Sequence, residues 1–415
     1  MNKKPLSILF VTVLIDMIGL GIIIPFVPII FELKSFFPAS VSNQTIHIIL
    51  GLLLAAYPFA QFFGSPILGR LSDSYGRKKI LSLSLLGSFM GYLIFAWGIY
   101  SSNLWLLFLS RIIDGFTGGN ISVAMASIAD LSIDEKTKVR NFGMIGAAFG
   151  LGFIIGPALG GLLSDTHISP YFTVMTPFLA AAFFALANLF VVHFALEETL
   201  KKRVKRAIRF KSSFSNLKTA FSVKHLKTVF LALFLANLGW VLFEYFFQVF
   251  LYNKFHFSAS SIAYLFVYIG FWIVLTQGYL VRKMSNKIDA SKILKFTLLP
   301  AAIFLLMIAF STKTGLYYLL PFLAIFIGFT QPNFSAILSE SADEQSQGEI
   351  LGIRQSVVSS TQFIAPLVGG FLLNIGSQQA GVEVPLIAGS VLIFLGWIVV
   401  LFIKKIKEKV RFEQL

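Results

Sequence analysis

The 415-residue chain has no cysteine, which excludes disulfide bonds and leaves the sequence silent about redox compartment. Charge is also scarce. Only 13% of the residues are Asp, Glu, Lys or Arg, where soluble domains carry roughly a quarter. That scarcity excludes a soluble globular protein. The five histidines, at positions 47, 167, 193, 225 and 256, are scattered without metal-ligand spacing, so no metal site is expected. No G-x-S-x-G or H-E-x-x-H occurs, and nothing points to an enzyme or a cofactor. Gly64 and Gly69 bracket four residues, but Arg70 and Leu71 follow where a phosphate-binding loop needs Lys and Ser/Thr. Alternating strand-length segments, the mark of a membrane barrel, are missing as well.

What the chain does have is apolar length. Hydrophobic residues make up 56% of it, in recurring runs of about 20–25 residues, enough for a helix to cross a ~30 Å hydrocarbon core. Lipid offers no backbone hydrogen-bond partners, so such runs must be helices. Twelve spans are expected, at 6–31, 46–68, 79–99, 104–128, 139–164, 171–194, 228–252, 260–281, 292–311, 315–338, 349–374 and 384–403. Lys3 and Lys4 ahead of the first run imitate a signal peptide. The run is too long for one, contains Asp16 and lacks a small-residue cleavage site, so it is expected to stay as a helix.

The net charge of +15 would suggest nucleic acid as a partner for a soluble protein. Its distribution says otherwise. Lys and Arg gather in alternate loops and at both termini, and only Lys34, Lys254 and Lys313 lie in the opposite loops. This positive-inside bias places both termini in the cytoplasm, in a bacterial inner membrane. The segment 195–227 is dense in Lys and Arg and reads as a basic linker lying on anionic headgroups. It separates an N-terminal six-helix bundle, 1–194, from a C-terminal one, 228–415. The halves echo one another. "GFTGGNIS" (Gly115–Ser122) returns as "GFTQPNFS" (Gly328–Ser335), and Ala129–Asp130 returns in the same register as Ala342–Asp343. "GPALGG" (Gly156–Gly161) is echoed by "APLVGG" (Ala365–Gly370), and Gly69-x-Leu71 by Gly278-x-Leu280. The fold class is therefore an all-α membrane protein of two pseudo-symmetric six-helix bundles.

Five ionisable residues lie within spans: Asp16, Arg111, Asp114, Glu244 and Arg354. Each costs several kcal/mol unless paired or hydrated, so each is a functional candidate. Asp16 lies about 15 Å along the first helix, near mid-bilayer. Burial and a nearby Arg pull its proton affinity in opposite directions, which suits a group that loads and releases a proton. Arg111 and Asp114, three apart, share a helix face and either brace helix 4 or tune proton loading. Asp16 and Asp114 compete as the proton carrier. Trp240, Glu244 and Gln248 line one face of helix 7, as a cavity wall for a cationic group or as a cluster near the outer water interface. Further cavity candidates are Gln61, Asn120, Asn237, Tyr264, Tyr268, Gln277, Gln331, Asn333, Gln355 and Gln362; interhelical hydrogen bonds are the alternative use for each. Pro332 is expected to break helix 10 between Gln331 and Asn333. Arg354 is expected to snorkel to the cytoplasm.

Gly69-x-Leu71-x-Asp73-x-x-Gly76-Arg77-Lys78-Lys79 resembles, in full, the motif between helices 2 and 3 of the major facilitator superfamily. Arg111-x-x-x-Gly115-x-x-Gly118-Gly119 is similar to that family's helix 4 motif. Gly152-x-x-x-Gly156-Pro157-x-x-Gly160-Gly161 is similar to its helix 5 motif, which is associated with antiporters. Leu14–Pro28, "LIDMIGLGIIIPFVP", resembles the first helix of tetracycline-resistance-like drug:proton antiporters. The resemblance extends over all twelve spans. It implies a proton-coupled exporter of a small amphipathic molecule working by alternating access, as a monomer. A proton-coupled importer or facilitator is the alternative, and a non-transporting receptor a more distant one. Within this resemblance, Gly69 and Gly76 permit a tight turn. Asp73 sits at a helix N-terminus, of helix 3 or of a helix in the other half, and Arg77 reaches Asp130, a set of contacts that would gate the cytoplasmic side. Gly152, Gly156 and Gly160 form a flat packing stripe, with a kink at Pro157, that would seal against proton leak.

Overall fold

In a computed structural model, the structure describes residues 4–23, 36–38, 40–131, 135–200, 203, 220–222, 226–285, 287–341, 347–375 and 381–403. They form α1 (Lys4–Ile22), α2 (Asn43–Tyr75), α3 (Arg77–Tyr100), α4 (Leu104–Asp130), α5 (Glu135–Leu162), α6 (Thr176–Ala195), α7 (Lys227–Phe255), α8 (Ala259–Val281), α9 (Ala290–Ala309), α10 (Lys313–Glu340), α11 (Gln347–Leu372) and α12 (Gly381–Leu401). No strand occurs among the described residues. Ten of these helices are long and apolar enough to cross a membrane. The other two, α5 and α11, occupy the remaining expected spans, and Gly150–Leu162 is the apolar stretch of α5. Residues 24–31 of the first expected span, and with them the end of the Leu14–Pro28 motif, lie outside the described residues. So do Lys34, most of the basic linker, Asp343 and the basic tail beyond 403.

Local chemistry explains the helix ends. Ser42 caps α2 by accepting from Thr45 N at 3.2 Å. Asn103 caps α4 by accepting from Trp105 N and Leu106 N, and Thr312 caps α10 through Gly315 N. The expected loop between helices 2 and 3 is corrected: α2 runs on to Tyr75 and α3 begins at Arg77, so Gly69 and Asp73 are helical and the turn is one residue long. Gly76 makes that turn at φ 105°, a conformation that side-chain-bearing residues rarely adopt.

The chain divides into two compact units, Met1–Lys211 with Phe257–Val267, and Ser212–His256 with Tyr268–Leu415. The first part of α8 thus counts with the first unit. There Ser260 donates to Asp165 in the α5–α6 connection, and a methyl group at Gly161 would meet Ala263. This hydrogen bond, with one from His167 N, holds the Asp165 carboxyl below its usual range. Within the first unit α1 packs on α5, α2 on α4, and α3 on α4 and α6; within the second, α7 packs on α11 and α12, and α9 on α10 and α12.

Lipid gives no hydrophobic drive for helices to associate, so small residues and close backbone contact must supply it. That is how the first unit is built. A Cβ at Gly115 would stand 2.3 Å from Tyr57 O, and one at Gly119 2.5 Å from Ser65 N. The stripe on α5 lies on α1: Gly152 faces Met17, Gly156 faces Ile18 and Gly21, and Gly160 faces Ile22. Pro157, inside α5, abuts Gly21.

Candidate functional site

The stripe brings α5 against the helix that carries Asp16. Asp16 is buried on α1, and its Oδ2 has no hydrogen-bond partner. Asn120 stands beside it, yet neither polar atom of that buried amide makes a hydrogen bond. Asn120 owes its position to a break in α4. The first segment ends at Thr117, Gly118 and Gly119 form a tight turn, and the second segment starts at Asn120. The break exposes the Gly118 carbonyl, to which Gln61 donates at 3.0 Å, and just after it Ser122 donates across to Ser65 O of α2 at 2.7 Å.

One turn before the break lies the Arg111–Asp114 pair, with Nη2 and Oδ2 3.2 Å apart and both side chains only 3% exposed. The contact is an ion pair without hydrogen-bond alignment; Arg111 Nε and Nη2 and Asp114 Oδ2 have no hydrogen-bond partner. The guanidinium lies over the Phe95 ring, at 4.7 Å to its centre, and the Tyr57 ring, at 5.7 Å. Tyr92, whose hydroxyl fills the space over Gly19, is within electrostatic reach of Asp16, Tyr57, Arg111 and Asp114. Two acids, one cation and several unsatisfied polar atoms thus share one buried region of the first unit. Native interiors leave few such atoms unpaired.

A second cluster surrounds Gly76. Arg77 Nη1 lies 2.7 Å from Asp73 and donates to Ser72 Oγ, and Arg77 Nε lies 3.1 Å from Asp130 Oδ2. Ser72 in turn donates to Gly69 O. Asp73 is in the last turn of α2 and pairs with Arg77 one turn on. The carboxylate at the α3 N-terminus is instead Glu198, from just beyond α6. It accepts from Arg77 N at 2.9 Å and Leu200 N at 3.1 Å and lies over Gly76, where the helix dipole favours an anion. Thr199 Oγ1 reaches Asp130. Neutralising this acid with Glu198→Gln is expected to loosen the cluster by about 1 kcal/mol. A lone cysteine at the buried Ser127, in the otherwise cysteine-free chain, should then react about fivefold faster with a polar maleimide. Equal rates would make Glu198 a bystander.

In the second unit α10 breaks at Phe329, within three residues of the position that repeats the α4 break. Pro332 is the third residue of the new segment. Asn333 donates to Phe329 O, while the buried Thr330 hydroxyl has no partner. Gln331 donates to Asn237 Oδ1 and Asn237 to Thr361 Oγ1. Arg354 donates to Gln331 Oε1. The snorkelling expected of Arg354 is therefore corrected: the side chain turns into the unit, because the α10 break offers an amide that can receive it. On α7, Trp240 stands beside the half-buried Glu244. Gln248 is fully buried and donates to Tyr245 O, a bond within its own helix. Tyr268 donates to Tyr317 O at 3.1 Å. Tyr264, Gln277 and Gln355 are exposed.

The sequence profile of the Major Facilitator Superfamily matches residues 9–366 and 283–414. The chain belongs to the Major Facilitator Superfamily. Among characterised members, this superfamily chain is 33% identical to the class H tetracycline resistance protein of Pasteurella multocida over 90% of both chains. It is 32% identical to the class D protein of Salmonella ordonez over 97% of this chain and 98% of the other. Among solved structures, a D-xylose–proton symporter superposes with a TM-score of 0.77 at 15% identity, over 98% of this chain and 99% of that one. As in the superfamily generally, this chain is an integral multi-pass membrane transporter and no enzyme.

Sequence reasoning about this superfamily member missed Glu198, Tyr57, Tyr92 and Thr361. For Glu198 a signal existed: with Glu197 it is the only acid in the basic linker. Tyr57, Tyr92 and Thr361 carry no mark separating them from lipid-facing or packing residues.

Proposed function

We propose that this chain exports a small amphipathic molecule in exchange for protons, by alternating access of two six-helix halves, 1–194 and 228–415, joined by the linker 195–227. It works as a monomer in a bacterial inner membrane with both termini cytoplasmic, and neither nucleic acid nor a cofactor takes part. The reading rests on one observation above the rest: Asp16, Arg111 and Asp114 are buried together with polar atoms that protein alone leaves unsatisfied. The names of the relatives agree with it, since drug resistance is what an exporter confers.

The chemistry follows from charge. Arg111 answers Asp114, so that pair has internal compensation. Asp16 has one oxygen without a donor. A proton on Asp16 or Asp114 changes the charge of the region by one, and a charged group without a partner is tolerated only where water reaches it. Conformations that differ in hydration then differ in proton affinity, which is the requirement for coupling. Gln61, Asn120, Asn237, Trp240, Glu244, Gln248, Tyr268, Gln331, Asn333 and Gln355 are assigned to substrate contact. Gly69, Asp73, Gly76, Arg77 and Asp130 are assigned to gating, since each carboxylate released from Arg77 frees one helix end.

The test uses everted membrane vesicles with an imposed proton gradient. Tetracycline or an amphipathic dye should accumulate inside them and leak out when an uncoupler collapses the gradient. Gradient-driven accumulation in intact cells instead would establish import.

A further inference from the structure

Among the described residues, three arginines turn into the unit that carries them, Arg77 and Arg111 in the first and Arg354 in the second, and the chain answers the first two. Arg77 faces Asp73 and Asp130, and Arg111 faces Asp114. Among the residues whose side chains are described, no carboxylate lies within ion-pair distance of Arg354. Its Nε is sealed from solvent and makes no hydrogen bond.

What the chain supplies instead is a positioning relay. Arginine only donates, so its contact fixes the sense of everything downstream. Gln331 turns its oxygen to Arg354 and its amide N–H to Asn237 Oδ1. Asn237 gives its own N–H to Thr361, whose hydroxyl donates to Val358 O. Three side chains from α7, α10 and α11 thus hold one guanidinium in place, and none of them neutralises it.

A guanidinium kept in a low-dielectric region without a counter-charge is costly, and it presents a planar fork that matches carboxylates. We propose that Arg354 receives an anionic substituent of the exported molecule, a carboxylate or an enolate, so that the substrates are amphipathic organic acids or zwitterions. Depth favours a substrate over a lipid phosphate. Arg354, Gln331 and Asn237 each lie about 10–15 Å along their helices from the ends on one side of the membrane, below the headgroups. This inference rests on the export reading and adds the substrate's charge class to it.

The test compares rhodamine B, a carboxylate, with its ethyl ester, and tetracycline as a reference. Transport is measured in proteoliposomes of phosphatidylcholine, with and without phosphatidylglycerol. Arg354→Gln should lower the acid-to-ester transport ratio about tenfold or more, the size of one charge-assisted contact. Gln331→Glu keeps the size of the side chain and places a carboxylate against Arg354, though it gives up the N–H donated to Asn237 Oδ1; in protein whose thermal unfolding shows it folded, it should produce the same fall. Arg354→Lys should retain part of the preference. An unchanged ratio in both Arg354→Gln and Gln331→Glu overturns the proposal and leaves Arg354 a brace for the α10 break. A defect seen only with phosphatidylglycerol assigns the anion to lipid and also overturns it. Movement of the ester, but of neither rhodamine B nor tetracycline, overturns the proposal while export stands; movement of none of the three counts against both.

Discussion

Asp16→Asn is expected to reduce gradient-driven export to the level of protein-free vesicles while the purified protein melts at an unchanged temperature. The change is isosteric, and Oδ2 has no hydrogen-bond partner to lose. What disappears is the ability to carry and shed a proton. Arg111 still answers Asp114, so the packing of α4 against its neighbours should persist. Downhill exchange of labelled for unlabelled substrate needs no net proton movement and should continue. Two results would remove Asp16 from the mechanism. One is full gradient-driven export by the variant. The other is loss of export together with loss of exchange, which would mean that the substitution damaged the site rather than the coupling. If export survives in Asp16→Asn but fails in Asp114→Asn, the proton belongs to the α4 acid.

The second large effect is a matter of space. A single methyl at Gly156 would stand 2.7 Å from Gly21 Cα and from Ile18 O, both on α1. Neither is a flexible side-chain tip, so α1 itself would have to move. Gly156→Ala is expected to cost more than about 3 kcal/mol, beyond ordinary overpacking because the obstacle is backbone. Little folded protein should reach the membrane. Gly278→Ala is the control, since nothing lies within 4 Å of the added methyl there; it should change stability by less than about 0.5 kcal/mol. Thermal unfolding of the detergent-solubilised variants decides between them, and equal melting temperatures would show that the stripe is not a contact under strain.

The helices were legible because lipid leaves the backbone one choice: apolar length predicts them whatever their partners are. The embedded charges were legible for the same reason, since each stands out against 56% hydrophobic residues. Partners were not. Asp73 was matched to a helix N-terminus, but the one-residue turn at Gly76 keeps it at the end of α2 and hands that place to Glu198. A loop expected over ten residues hid this, because amphipathic ends such as Ser72–Tyr75 read as loop in a hydropathy scale while still forming helix. Arg354 was placed by its distance from a helix end, a measure blind to the direction of the side chain. The amide that draws it inward belongs to another helix, and only the break at Phe329 puts Gln331 within reach. The breaks themselves were half-visible: the repeated "GFT" motif marked both, and Pro332 marked one.

The wide turn Thr276–Val281 in α8 is π-helical. It takes in one more residue than an α-turn of the same rise, so everything after it is rotated by about 100°. Matching letters at Gly69-x-Leu71 and Gly278-x-Leu280 therefore sit in different kinds of turn, the first α-helical and the second π-helical. Gly69 lies 3.5 Å, by its would-be methyl, from Ser122, while Gly278 looks onto nothing. At this point a shared alphabet survives without a shared geometry.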